Sequence, residues 1–156
     1  MIDRKRSAVA GIVLSASALV GIALHEGYSD HAIEPVKGDV PTLGFGTTSG
    51  VKMGDRITPP VALARALTDV QKFEGALKQC VTVPLSQNEY DAYISLSYNI
   101  GSRAFCNSTL VRNLNAGDYS GACQQILAWD RLRGKPLRGL TIRRQAEYQQ
   151  CIGDTP

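Results

Sequence analysis

The sequence predicts one α+β domain, mainly α, behind an N-terminal apolar segment. Its 156 residues leave room for a single globular domain. His25 to Thr58 is rich in glycine and contains an alternating stretch, which indicates short strands and turns. From Thr58 onward, apolar residues recur at three- and four-residue spacing, which indicates helices. The expected plan is a small β-hairpin lobe, a long connecting helix and a helical lobe, with a cleft between the lobes.

The strand-forming part is expected to be a hairpin. Alternation runs over Val40–Gly46, and Pro35–Gly38 supplies a hairpin turn before it. The pair Gly44 and Gly46 indicates tight packing of the hairpin. A phosphate-binding loop is disfavoured there, because such a loop also needs a lysine and a helix that begins directly after it, and the sequence has neither at this place.

Local start signals divide the rest of the chain into five helices. Their start signals are Thr58–Pro60, the capping box Ser86–Glu89, Ser108, Asp118 and Thr141. The first is the long one, and the last two are expected to reach Trp129 and Gly153. No repeat or low-complexity tract interrupts them.

The charge excludes one class of protein. The formal net charge is +3, and residues 3–6 supply +2 of it, so the rest of the chain carries about +1. A nucleic-acid binder would concentrate Lys and Arg on one face. We therefore expect no nucleic-acid partner.

Four cysteines, Cys80, Cys106, Cys123 and Cys151, all lie in the second half of the chain. They form no CxxC pair and are distant in sequence from both histidines, so neither a metal site nor a cofactor is expected. An even number of cysteines behind an export segment indicates two disulfides in an oxidising compartment.

The N-terminus has the pattern of a membrane-insertable segment. Residues 1–6 are basic, and Ser7 to Leu24 is uncharged over 18 residues, near the lower limit for spanning a bilayer. Ten of those residues are Ala, Gly or Ser, so insertion is weak. Three interpretations of this segment stay open. It is a stable signal anchor, a signal peptide cleaved at Ala16–Ala18, or a segment that inserts into the membrane and later leaves it. Residues 1–24 are thus expected to be a separate element, with a globular domain over 25–156 outside the cytoplasm.

Glu26 is the first candidate for chemistry. Glycoside hydrolysis needs one protonated carboxyl and a second, ionised one. Glu26 follows the apolar segment at an expected helix end, partly desolvated by its neighbours. Desolvation raises the pKa of a carboxyl towards neutrality, which a general acid requires. A solvated acid at the edge of the segment is the alternative.

Four motifs, in order and suitably spaced, extend this pattern over residues 25–152. They are Glu26–Tyr28, Asp39–Thr48, the stretch Asn99–Asn115 and Gly139–Glu147. Together they resemble the phage lysozymes of glycoside hydrolase family 24, the T-even phage lysozyme type. The resemblance implies a lysozyme-like fold and hydrolysis of peptidoglycan glycan strands without a cofactor. It also offers Arg143 or Arg144 as a partner for Glu26, with a solvated helix face as the alternative.

The resemblance implies a Glu/Asp/Thr catalytic set. Glu26 maps onto the general acid and Thr42 onto the threonine, but the family spacing places Pro35 at the aspartate. The candidates for the second carboxylate are Glu34 and Asp39. Strand alternation counts against Asp39, yet a short aspartate leaves more room for water between carboxyls about 6.5–9.5 Å apart. We favour Asp39.

The N-terminal segment resembles that of the signal-arrest-release endolysins. This implies export to the periplasm, tethering to the inner membrane through residues 7–24, and then release as a monomer. Residues 1–25 lack cysteine, so activation by disulfide exchange is not expected. Cysteines recur at the places of Cys123 and Cys151 in membrane-released relatives, which implies that pair and leaves Cys80 with Cys106.

Two other functions are compatible with the sequence. A lytic transglycosylase would use one acid without a water-activating partner. A non-catalytic wall-binding or membrane-anchored protein would not need Glu26 at all.

Overall fold

The structure, a computed structural model, describes residues 5–153. The helices are α1 (Ala16–Glu26), α2 (Pro59–Cys80), α3 (Gln87–Ile100), α4 (Ser102–Cys106), α5 (Thr109–Asn115), α6 (Tyr119–Gln125) and α7 (Arg138–Ile152). The strands are β1 (Ser29–Ile33), β2 (Thr42–Gly44), β3 (Arg131–Leu132) and β4 (Lys135–Pro136). Single 3-10 turns cover Val9–Gly11 and Ile126–Trp129. This mainly helical chain with a small antiparallel hairpin confirms the predicted fold class.

The chain divides into two compact units. Leu19–Lys72 forms the hairpin unit, and the residues up to Ala18 together with those from Phe73 onward form the helical unit.

The hairpin unit is built on β1 and β2. Its antiparallel register sets Ser29 opposite Gly44 and Ile33 opposite Thr42, with an irregularity between the two pairs. The far edge of β1 is paired as well, since Ala32 N–H donates to the carbonyl of Asp55 at 2.9 Å. A small apolar core below the sheet contains Ala32, Leu43 and Val51, with Ile57 packed against it.

The turn predicted at Pro35–Gly38 is confirmed, because Asp39 N–H donates to the carbonyl of Val36 at 2.9 Å. The strand after it is shorter than the alternation suggests. Leu43 and Thr47 exchange backbone hydrogen bonds of 2.9 and 3.1 Å around a tight turn. Gly44 there has φ +63, and a Cβ on it would lie 2.8 Å from the Cβ of Ala62. Close packing of this turn therefore requires glycine, as predicted.

In the helical unit α3 is central, and every residue from Glu89 to Ser97 is buried. The predicted capping box is present, with Ser86 N–H donating to the Glu89 carboxylate at 2.8 Å. The α3 helix packs chiefly against α7. Both predicted disulfides are present, joining Cys80 to Cys106 and Cys123 to Cys151.

Two predictions about the later helices need correction, and two further elements were not predicted. The helix capped by Asp118 is α6 and ends at Gln125, with a 3-10 turn reaching Trp129. The last helix begins at Arg138 rather than after Thr141, whose N–H already donates to the carbonyl of Leu137 at 2.9 Å. The short α4 and the β3–β4 hairpin are additional elements.

The N-terminal segment lies on the helical unit as far as Ser15. Ser7 and Leu85 exchange backbone hydrogen bonds of 2.8 and 2.9 Å. Ser15 donates to the Asp91 carboxylate from its N–H at 3.0 Å and from its hydroxyl at 2.6 Å. Leu14 N–H donates to Glu74 at 2.7 Å. Within the described part of the chain, no helix has the combined length and apolar character needed to cross a bilayer.

Candidate active site

Glu26 is the last residue of α1, so it lies at the helix end that the sequence indicates. The helix stops there because Gly27 adopts φ +71 and donates its N–H to the carbonyl of Ala23 at 3.1 Å. Glu26 is half-buried. Its side chain is thereby fixed at the base of the hairpin unit's strands.

Glu26 and Thr42 line the same cleft within the hairpin unit. The cleft has a volume of about 410 Å³. Its other lining residues are Gly27, Tyr28, Ser29, Ile33, Pro35, Gly44 and Gly46. The Thr42 hydroxyl donates to the carbonyl of Ile33 at 3.5 Å, the outer limit for a hydrogen bond, so it can reorient towards a bound water.

Gly46 allows the Glu26 carboxyl to lie against the backbone of the tight turn. A Cβ on Gly46 would be 3.1 Å from Oε2 of Glu26, and its φ of +82 favours glycine. The sequence indicates only hairpin packing for this glycine. Its contact with the candidate acid appears only once the strands are folded.

Tyr28 forms a wall of the cleft and is held at both ends. Its hydroxyl donates to the carbonyl of Ile57 at 3.0 Å, and its ring centroid lies 5.3 Å from that of Phe45. Tyr28 was not singled out from the sequence as a wall of the cleft. The sequence feature that could have indicated this is its position in the first motif, two residues after Glu26.

Both candidates for the second carboxylate lie in the exposed loop between β1 and β2. Oε2 of Glu34 accepts the N–H of Gly38 at 3.3 Å. The Asp39 carboxylate accepts no hydrogen bond from the residues described by the structure. Asp39 precedes β2, so strand alternation does not govern its side chain. Neither residue is among those lining the cleft.

A second polar group lies in the helical unit, which contains two of the four motifs. Glu147 accepts the Ser95 hydroxyl at 2.7 Å and pairs with both Arg143, at 3.2 Å, and Arg144. Arg144 also contacts the side-chain oxygen of Asn99. Both arginines are buried, so the interpretation as a solvated helix face is wrong. Their pairing with Glu26 stays a prediction.

Comparison with known proteins identifies the family. The family model described as phage lysozyme matches residues 23–147. An endolysin of Acyrthosiphon pisum secondary endosymbiont phage 1 is 46% identical over 110 residues, covering 68% of this chain and 75% of that protein. A SAR-endolysin of Pseudomonas phage phiKMV is 36% identical over 141 residues, covering 88% of this chain and 87% of that protein.

A solved structure agrees with these relatives. The endolysin from Escherichia coli O157:H7 phage FAHEc1 superimposes with a TM-score of 0.82 at 34% identity, covering 97% of this chain and 98% of that one. The chain belongs to the phage lysozyme family. It is accordingly an enzyme of the lysozyme class.

Proposed function

We propose that this protein is an endolysin that lyses a bacterial host by hydrolysing the β-1,4 bond between N-acetylmuramic acid and N-acetylglucosamine in peptidoglycan. One observation carries the proposal: Glu26 and Thr42, the residues that match the family's acid and threonine, line one cleft. The names of the endolysin relatives support the same activity.

In this mechanism Glu26 is the general acid. It gives its proton to the glycosidic oxygen as the bond to the anomeric carbon breaks. Its place at the C-terminus of α1 supports this role, since it holds the carboxyl at the cleft that Thr42 also lines. Gly46 keeps the carboxyl against the turn, which limits the positions that the proton donor can adopt.

Water is the nucleophile, activated by Asp39 and oriented by Thr42. It attacks the anomeric carbon from the face opposite the leaving oxygen, and Asp39 takes the proton, so the configuration inverts. The loop geometry supports Asp39 over Glu34, because the Glu34 carboxylate accepts a backbone N–H of the turn while that of Asp39 remains available for a water.

The delivery route is part of the proposal. Residues 7–24 first insert into the inner membrane and hold the chain in the periplasm, and the enzyme becomes active as a monomer after they leave. The SAR-endolysin relative supports this route. So do the contacts of Leu14 and Ser15 with Glu74 and Asp91, which give the released segment a defined place on the helical unit.

The test is analysis of the reducing ends produced from purified peptidoglycan. Wild-type protein is expected to release N-acetylmuramic acid reducing ends, whereas anhydro-sugar ends would identify a transglycosylase. Glu26→Gln is expected to lower kcat by about 10²–10⁴-fold. Intact lysis by Glu26→Gln would indicate a non-enzymatic mode of killing.

The same assay separates the two candidates for the second carboxylate. Asp39→Asn is expected to lower kcat at least about 100-fold, the range for loss of a positioned base. Glu34→Gln is the matched variant, on the same exposed loop, and is expected to lower kcat far less. The reverse order would assign the role to Glu34.

A further inference from the structure

The hairpin formed by β3 and β4 in the helical unit is exposed along its whole length. Every residue over 131–138, from the start of β3 to the start of α7, is exposed, and we name this segment the basic hairpin. The two strands pair in antiparallel register, and the Leu137 N–H closes the base by donating to the carbonyl of Asp130 at 2.9 Å. The segment therefore has a defined backbone, although none of its side chains is buried.

The basic hairpin concentrates the positive charge of the chain. Its four cations are Arg131, Arg133, Lys135 and Arg138. With the one adjoining acid, Asp130, residues 130–138 carry +3, which equals the formal net charge of all 156 residues, so the rest of the chain is neutral in sum. Asp130 lies 3.9 Å from Arg131 and also accepts the Thr141 hydroxyl at 3.1 Å. Within the part of the chain that the structure describes, the other three cations have no acidic partner.

Arg133 has an unfavourable backbone conformation at the tip of the basic hairpin. Its φ is +51 and that of Gly134 is +79, as in a two-residue hairpin turn whose central residues both have positive φ. Such turns favour asparagine, aspartate and glycine, whereas an arginine is strained there. Over residues 5–153 no other non-glycine residue has a positive φ. The turn itself does not favour arginine at this position, so its exposed charge is the better reason for its presence.

Aliphatic side chains lie among these cations. Leu132 and Leu137 are 59% and 48% exposed, and Ile142 on α7 is 60% exposed. Leu132 is opposite Lys135, so a leucine and a lysine share one face of the hairpin. Ile142 follows Arg138 by four residues on α7, so these two share a helix face. Cations interleaved with exposed aliphatic groups suit an anionic lipid surface, which attracts the cations and admits the aliphatic groups at its interface.

We propose that the basic hairpin, together with Ile142, binds the surface of a membrane that contains anionic phospholipids. The four cations pair with lipid phosphates, and Leu132, Leu137 and Ile142 enter the headgroup region. A nucleic acid fits less well, because residues 131–138 include no aromatic side chain on which a base could stack. On the proposed delivery route, the basic hairpin keeps the enzyme at the bilayer after residues 7–24 leave it. That consequence rests on the delivery route, whereas lipid binding itself does not.

Cosedimentation of the full-length protein with lipid vesicles tests the proposal. Vesicles of equal parts phosphatidylglycerol and phosphatidylcholine are compared with vesicles of phosphatidylcholine alone. Arg133→Asn is expected to weaken binding to the anionic vesicles about fivefold, the contribution of one cation near such a surface. Asparagine tolerates the left-handed conformation, so the melting temperature should stay the same or rise, which separates lost binding from lost folding.

A second variant tests the aliphatic contacts. Leu132→Ser should lose the binding that remains at high salt, because salt screens the cations and leaves the contribution of the apolar side chains. Arg103→Asn is the control for charge, because Arg103 is an exposed arginine on α4 and its replacement changes the net charge as Arg133→Asn does. This control should bind the anionic vesicles as the wild type does.

Three results would overturn the proposal. Wild-type binding by both Arg133→Asn and Leu132→Ser would show that another part of the chain, such as residues 7–24, holds the protein to the vesicles. Equal binding of the wild type to both kinds of vesicle would exclude recognition of anionic lipid. Tighter binding to a DNA duplex than to anionic vesicles would assign the basic hairpin to a nucleic acid. No peptidoglycan is present in these measurements, so their outcome is independent of the proposed activity.

Discussion

The guanidinium of Arg6 donates to both carboxylate oxygens of Glu89, at 2.7 and 3.0 Å, across 83 residues of sequence. Glu89 is buried, and Arg6 also lies over the ring of Tyr119, 3.7 Å from its centroid. The pair fixes the start of the N-terminal segment to the start of α3.

Arg6→Ala should therefore destabilise the folded protein. It leaves a buried carboxylate without its cation, although the capping bond from Ser86 remains. We expect a loss of about 1–3 kcal/mol in the free energy of unfolding, less than for a fully buried pair because Arg6 is partly exposed. Urea unfolding measures it. Arg103→Ala, at an exposed arginine of α4, is the control, and an equal effect of both substitutions would contradict the role of the pair.

Gly46→Ala should impair catalysis more than stability. The new methyl group would displace the Glu26 carboxyl, and misplacement of a proton donor by a fraction of an ångström costs roughly tenfold or more in kcat. Gly50→Ala is a matched control, because Gly50 has φ +72 but open space around a Cβ. Both variants should lose about 1 kcal/mol of stability from backbone strain. Equal kcat values for the two would contradict the Gly46 contact.

Leucine substitutions in the N-terminal segment test the delivery route. Replacing Gly11, Ser15, Ser17 and Gly21 with leucine is expected to trap inactive protein in the membrane, because each leucine contributes about −0.3 to −0.6 kcal/mol to insertion. Ser15 is better left unchanged, since its hydroxyl binds Asp91 at 2.6 Å. At Gly11 and Gly21 a Cβ meets nothing within 4 Å.

The sharper variant is thus Gly11→Leu with Gly21→Leu, which adds apolar surface without removing a contact of the folded protein. Serine at both positions is the control. Cell fractionation and a lysis assay measure the outcome, which should be membrane retention with delayed lysis for leucine only. Normal lysis and full recovery of the leucine variant in the soluble fraction would refute the release model.

Glu147→Gln should be among the most destabilising single substitutions. It removes the carboxylate shared by two buried arginines, and breaking a buried ion pair costs about 3–5 kcal/mol. Gln145→Ala changes an exposed residue of the same helix and should stay within about 0.5 kcal/mol of wild type. Thermal unfolding compares them, and similar melting temperatures would contradict the assigned network.

The disulfides should contribute comparably to stability. They close loops with sequence separations of 26 and 28, for which chain entropy gives about 3–4 kcal/mol each. Replacing either pair, with serine for Cys80 and Cys106 or alanine for the buried Cys123 and Cys151, should lower the unfolding free energy by that amount. A loss below about 1 kcal/mol would contradict the entropic account.

Local signals predicted the helices whose first turn is capped by a side chain. Ser86, Ser108 and Asp118 each accept a backbone N–H three residues on, as predicted. The start of α7 was missed because no side chain caps it and the preceding residue, Leu137, instead donates its N–H to the carbonyl of Asp130. A start fixed by such a tertiary contact has no local sequence signature.

The site was predictable to a similar extent. Glu26 and Thr42 match a family pattern and line one cleft, and their catalytic roles stay a prediction. The burial of Arg143 and Arg144 was not predicted, since charged residues favour the surface. Besides Glu147 on the same helix, their partners include Ser95 and Asn99, which are distant in sequence.

The candidate proton donor and the candidate water activator are held by very different parts of the chain. Glu26 ends a helix, whereas Asp39 lies in the exposed part of the loop between β1 and β2. Surface loops absorb changes in length at little cost. Insertions and deletions in this loop can therefore move Asp39 during evolution while Glu26 stays in place, so the two halves of the proposed catalytic pair are free to diverge at different rates.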